Sequence, residues 1–220
     1  NGKNVYLTSL FHTTQDTTII TNTIIDANQS GSAVIMQNSS GSTLSGFTIT
    51  NGLSDYGGGI YIYPSENIQI NNVHIISNTA IKGGGIYAKQ HDQLDHSFIY
   101  NSKIQFNTAE TGGGIYFDTS GYANLRYTYL NKVLIANNVA TSGYGGGVYN
   151  ERNTLSFTNV TVANNTGYGL YFYSGHYYQL STIKNSIFYN NSLNSVNSVW
   201  YDVLSVENSL IQDMFSNNTK

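Results

Sequence analysis

One five-residue block recurs four times almost unchanged: Gly57-Gly58-Gly59-Ile60-Tyr61, Gly83-Gly84-Gly85-Ile86-Tyr87, Gly112-Gly113-Gly114-Ile115-Tyr116 and Gly145-Gly146-Gly147-Val148-Tyr149. A degenerate fifth copy is Gly167-Tyr168-Gly169-Leu170-Tyr171. A second element, an apolar residue followed three positions later by Asn, alternates with it: Ile25/Asn28, Ile75/Asn78, Ile104/Asn107, Ile135/Asn138, Val162/Asn165 and Phe188/Asn191. Ile49/Gly52 and Leu210/Asp213 fit the same column, so it falls at 28, 52, 78, 107, 138, 165, 191 and 213. The column lies seven residues before the third glycine in three of the copies, so length variation collects mostly after the glycine strand, in segments 89–97, 118–127 and 174–179.

A repeat length in the twenties leaves few architectures. A propeller blade takes about 40 residues or more, and a leucine-rich repeat needs a Leu ladder that is missing here. A helical repeat needs a period of 3.6, whereas Val73-His74-Ile75, Val160-Thr161-Val162 and Phe47-Thr48-Ile49 alternate with the period of a strand. What remains is an all-β fold, a single-stranded right-handed parallel β-helix (solenoid) of about eight coils, with residues 1–220 as one domain. Its handedness follows the general crossover preference. Successive coils stack about 4.8 Å apart, so each residue meets its counterpart above and below. The inward Ile and Val then form a continuous aliphatic core. Asn at the corner accepts left-handed backbone and offers its amide to the next Asn. Pro64 falls outside the ladders, where its missing N–H does no harm.

Composition removes several function classes. Only 10% of residues are charged, against about 25% in ordinary domains, which excludes a charge-rich disordered tail or solvated coiled coil. Nine scattered Lys and Arg make no basic stripe, so no nucleic-acid partner is expected. Without Cys there is no disulfide frame and no thiolate metal site. No apolar run approaches the ~18 residues of a transmembrane segment. No cofactor is expected. The start, Asn1-Gly2-Lys3-Asn4, reads as that of a mature or excised segment.

In a Gly-Ile-Tyr strand, Ile and Tyr point to opposite faces. With Ile inward, Tyr61, Tyr87, Tyr116, Tyr149 and Tyr171 form an outward stripe, one ring per coil. Such a stripe is a platform for sugar rings, a protein contact, or a self-stack that stabilises the sheet. On the platform reading, truncating Tyr87 and Tyr116 weakens binding and leaves the fold intact. Further tyrosines, among them Tyr127, Tyr129 and Tyr177, fall in or beside the variable segments.

The densest polar cluster holds His91, Asp92, Asp95 and His96. It reads as a solvated insertion loop, although His and Asp at such spacing also suit a metal. Asp118, Arg126, Glu151 and Arg152 occupy the equivalent loops of the next coils, and His176 and Tyr177 a later one. Together these residues are expected to line one mixed-charge edge suited to polar ligands. The acids on or near the core coils, Asp26, Asp55, Asp118, Glu151 and Asp202, are isolated in sequence, and glycoside hydrolysis needs two carboxyls flanking the bond. No catalytic residue and no metal ligand is therefore assigned. Sequons at Asn28, Asn38, Asn159, Asn164, Asn190 and Asn217 read as by-products of an Asn-rich chain, because several lie in or beside the corner column, where a buried amide has no room for a glycan.

Ser45-Gly46-Phe47-Thr48-Ile49-Thr50-Asn51-Gly52, the glycine blocks and Asn185-Ser186-Ile187-Phe188-Tyr189-Asn190-Asn191 resemble the right-handed parallel β-helix repeat proteins of bacteria, within the pectin-lyase-like superfold. Gly2-Lys3-Asn4-Val5-Tyr6-Leu7-Thr8-Ser9 with Thr23-Ile24-Ile25-Asp26 is similar to the opening coils of that group. A weaker similarity is to chlamydial polymorphic outer-membrane protein repeats. The resemblance implies long secreted or surface-attached chains, hence an extracellular or cell-surface location. The expected function is a non-catalytic structural or binding module that recognises glycan or a protein partner through the Tyr stripe and loops. The alternative is a polysaccharide lyase or glycoside hydrolase. Because the first strand begins near residue 1, with no room for a capping helix, the chain is expected to be a segment of a longer solenoid or to associate end to end.

Overall fold

The computed structural model describes residues 3–89, 96–119, 127–173, 180–199 and 203–216. Successive coils run through faces 1, 2 and 4 in turn, four interior ones adding a strand on face 3 between faces 2 and 4, and every pairing between named strands is parallel. Face 1 holds eight strands, from Tyr6–Thr8 through His96–Tyr100, Tyr127–Asn131 and Thr154–Thr158 to Val203–Glu207. Face 2 holds eight, from Ile24–Asp26 to Leu210–Ile211. Face 3 holds four: Leu53–Tyr56, Thr79–Lys82, Thr108–Thr111 and Val139–Ala140. Face 4 holds eight, including Ile60–Ile62, Ile86–Lys89, Ile115–Asp118, Val148–Glu151 and Leu170–Tyr173.

Register turns the sequence repeat into columns. On face 2, Ile49, Ile75, Ile104, Ile135, Val162 and Phe188 pair in succession. Face 4 aligns Ile60, Ile86, Ile115, Val148, Leu170 and Val196. Face 1 contributes Leu44, Ile70, Ile99, Leu130, Phe157 and Ile183. All of these side chains belong to one buried core. Each fully buried aliphatic contributes about 1.5–3 kcal/mol, which is how short strands of two to five residues hold together.

The glycine block makes the bend from face 3 to face 4. Gly83 has φ +69°, and a Cβ on Gly84 would lie 2.5 Å from the Thr108 carbonyl oxygen of the next coil. Only glycine satisfies both demands.

The corner after face 2 carries an amide ladder of buried Asn78, Asn107, Asn138 and Asn165, ending on half-buried Asn191. Asn138 Oδ1 accepts from both the backbone N–H and Nδ2 of Asn107, each at 3.0 Å. Asn165 Oδ1 does the same for Asn138, and Asn107 Oδ1 for Asn78. The second Nδ2 proton goes to a backbone carbonyl, as from Asn138 to Ile104 at 2.9 Å.

The left-handed residue is not the ladder Asn, as expected from sequence, but the one before it: Asn51, Ser77, Phe106, Asn137, Asn164 and Asn190 all have φ between 53° and 58°. That residue turns the chain, and its turn aims the following amide inward. At the two ends the column slips by one, so Asn28 and Asp213 are themselves left-handed.

The sequence reading named no helix between the first two strands, and the structure has two short ones there. Two helical turns, α1 (Phe11–Thr14) and α2 (Thr18–Asn22), sit between the first strands of faces 1 and 2. They bury Phe11 and Ile20, and Thr48 Oγ1 donates to the Ile20 carbonyl at 2.8 Å.

Candidate functional site

The tyrosine column stands on the outer side of face 4, in strict register: Tyr61, Tyr87, Tyr116, Tyr149 and Tyr171. Its rings stack on one another, with successive centroids 5.7, 5.5, 4.5 and 5.4 Å apart. Of the three readings of the stripe, the ring contacts correspond to the self-stack. Tyr87 and Tyr116 are each 3% exposed. Faces of neighbouring rings cover each other, Tyr56 packs 4.9 Å from Tyr87, and Lys82 Nζ lies 5.0 Å over the Tyr116 ring. The column is outside the aliphatic core, yet Tyr87, Tyr116 and Tyr171 are buried, while Tyr61 and Tyr149 are half-buried.

Asp118 and Glu151 pair in register on neighbouring strands of face 4, with Lys89 on the other side of Asp118. Both carboxylates accept from the column: Tyr87 Oη donates to Asp118 Oδ2, and Tyr116 Oη donates to Glu151 Oε2 at 3.0 Å. Burial pushes the phenols of Tyr87, Tyr116 and Tyr149 far above their ordinary range. Glu151 raises Tyr116 and Tyr149 further by charge repulsion with the phenolate, and Asp118 raises Tyr87 through its hydrogen bond and its charge. Arg152 follows Glu151 and turns the next corner with φ 60°. His91, Asp92, Asp95, Arg126, His176 and Tyr177 lie outside the described residues.

A second aromatic group lies on the outer side of face 1. His96, Phe98 and Tyr100 alternate along one strand and Tyr127 and Tyr129 along the next. Tyr127 and Tyr129 are therefore strand residues, not loop residues. Phe98 stacks on Tyr129 at 5.0 Å and 14°. In the next coil, Ser156 takes the register position of Tyr129. The ladder stops at that small side chain.

A cleft of about 360 Å³ opens there, lined among others by Phe98, Tyr129, Asn131, Lys132, Ser156 and Thr158. Its walls combine aromatic carbon with amide, hydroxyl and ammonium groups, the mixture of a small-ligand site. Sequence reading missed it. The signal was present in the alternation His96-x-Phe98-x-Tyr100 and Tyr127-x-Tyr129, followed by Ser156 one repeat later.

The sequon asparagines also differ from expectation. Asn28, Asn38, Asn159, Asn164 and Asn190 are exposed and left-handed, because each is a turn residue rather than a buried ladder amide.

Among the described residues, no group of three or more His, Asp or Glu is placed to hold a metal, and no helix is long and apolar enough to cross a membrane. Neither the curated proteins nor the solved structures contain a significant match to this chain. A family model described as a right-handed β-helix region matches residues 8–219. With parallel strands in register through the described residues of that span, the chain belongs to the right-handed β-helix family.

Proposed function

We propose that this chain is an extracellular, non-catalytic recognition module that holds a glycan in the cleft beside Tyr129. The observation that carries the reading is the ending of the Phe98–Tyr129 ladder on Ser156, with a polar-rimmed cleft at that step. A pyranose ring has one face rich in C–H groups, which packs on an aromatic ring, and an equatorial belt of hydroxyls. Asn131, Lys132, Ser156 and Thr158 line the same cleft and offer donors and acceptors to such a belt.

The buried tyrosine column contributes rigidity to this surface rather than a second platform, since its ring faces are already occupied. The hydrolase or lyase alternative finds less support. Asp118 and Glu151 are brought side by side, but phenols occupy both carboxylates and Asp118 is buried.

The test is calorimetric titration of the protein with a panel of neutral and acidic oligosaccharides. Tyr129→Ala is expected to weaken binding about tenfold or more, equivalent to ~1.4 kcal/mol, with unchanged secondary structure. Release of unsaturated or reducing-end products overturns the non-catalytic reading, and undiminished binding by Tyr129→Ala overturns the site.

A further inference from the structure

We propose that the tyrosine column on face 4 is a relay for one-electron oxidising equivalents. These enter at the exposed rings Tyr56 and Tyr144 and come to rest as a phenoxyl radical at Tyr87 or Tyr116, whose protons pass to Asp118 and Glu151.

Three features of the column support this. First, the rings form an unbroken series, with centroids 4.5–5.7 Å apart and interplanar angles of 16–30°. Electron exchange between aromatic rings in contact is fast. Second, the entry rings touch it from outside: Tyr56, 44% exposed, lies 4.9 Å from Tyr87, and Tyr144, 46% exposed, lies 4.9 Å from Tyr171.

Third, a phenol that loses an electron becomes a strong acid, so oxidation is easiest where a base already holds the proton. Tyr87 donates to Asp118 and Tyr116 to Glu151, both charge-assisted bonds. Lys82 Nζ lies 3.5 Å from the Tyr116 oxygen, a contact that a neutral phenoxyl retains. Burial of Tyr87 and Tyr116 shields the radical from coupling with a ring on another molecule.

The balance is simple. A one-electron oxidant from solvent, such as the carbonate radical anion, takes one electron and becomes carbonate. The phenol O–H bond breaks, and its proton forms an O–H bond on the carboxylate. At a ring without a carboxylate partner, such as the entry rings Tyr56 and Tyr144, the proton goes to water instead. Hopping reverses the step: the neighbouring phenol supplies the electron, and the first oxygen regains its proton, from water at an entry ring and from the carboxylic acid at Tyr87 or Tyr116.

The experiment is flash oxidation of the intact chain by a photogenerated ruthenium(III) polypyridyl complex, with phenoxyl absorbance and electron paramagnetic resonance as readouts. The wild type is expected to give a long-lived radical. Asp118→Asn combined with Glu151→Gln removes the bases, and formation of that radical is expected to slow about a hundredfold, the scale of a positioned proton acceptor. Tyr189→Phe, on an exposed ring away from the column, is expected to change nothing.

Tyr87→Phe combined with Tyr116→Phe keeps the rings stacked and removes only the phenol oxygens, so it serves if the carboxamide variant does not fold. It is expected to abolish the long-lived signal while circular dichroism stays β-rich. A radical of unchanged yield and lifetime in either folded variant overturns the proposal. So does a signal lost equally in Tyr189→Phe.

Discussion

Tyr87 and Tyr116 occupy the same position on neighbouring coils, their rings 5.5 Å apart at 30°, and each bonds a carboxylate one coil further along the axis. The pair ties three coils together from outside the core. A stripe that faces away from the aliphatic interior can thus be as structural as the interior itself.

Replacing both rings with alanine is therefore expected to destabilise the fold. Large aromatic truncations at buried positions cost about 3–5 kcal/mol each, and the stacked neighbours lose about 0.5–1.5 kcal/mol per pair beyond that. Chemical denaturation of the double variant should show a midpoint far below that of the wild type. Ile86→Asn, one residue away on the inner side, is expected to cost several kcal/mol for a different reason, the burial of an unpaired amide. If the Ile86 variant is tolerated, the inward assignment of the face 4 column fails.

At the left-handed turn just before the Asn ladder, Phe106 is bulky, with φ 57° and 58% exposure, where the other described interior coils use Asn or Ser. L-residues other than Gly, Asn and Asp find this conformation costly, by about 1–2 kcal/mol. Phe106→Asn is expected to raise stability by roughly 1 kcal/mol, read as a higher denaturation midpoint with an unchanged slope. A lower midpoint would show that the exposed ring contributes packing.

Asn138 is hydrogen-bonded to the coil on either side. Asn138→Leu would leave the Asn107 backbone N–H and Nδ2 without their acceptor in a dry corner. Each such buried orphan costs about 1–3 kcal/mol, so this variant is expected to be among the least stable of any single substitution. Hydrogen exchange at the Asn107 amide should lose its protection first.

Alkaline pH should unfold the chain through its phenols. In the unfolded state Tyr ionises near 10.0, whereas folding pushes Tyr87, Tyr116 and Tyr149 well above that value. Above pH 10 the unfolded state therefore binds fewer protons than the folded one, and stability falls as pH rises. Below pH 10 these groups are neutral in both states and contribute no slope. Phenolate absorbance of the buried rings is expected to appear together with loss of the β-sheet signal. Full ionisation with the β signal intact would show that the rings are accessible.

The columns were legible because a strict repeat assigns each residue its counterpart: aligning Ile86 with Ile115 also aligns Tyr87 with Tyr116. The closing of the Tyr rings was not legible, since alternation tells which side of a strand a ring occupies and not how completely its neighbours cover it. The corner was ambiguous by one residue. At 137–138, 164–165 and 190–191 Asn is doubled, and sequence alone does not say which amide turns the chain and which is buried. The face 1 aromatics went unassigned because Tyr127 follows a long variable segment that blurs where the strand begins. The helical turns after residue 10 lie in a Thr-rich stretch with no apolar periodicity to announce them.

The Asn ladder has a direction: every amide oxygen receives from the coil before it, and every amide nitrogen donates forward to the amide oxygen of the next coil and back to a backbone carbonyl of the preceding one. The pattern is thus translationally invariant along the axis. A whole interior coil can be duplicated or excised without creating an unmatched donor, whereas a fractional insertion strands one. Length in such a molecule is quantised, and evolution can lengthen or shorten it in whole-coil steps while the cross-section stays fixed.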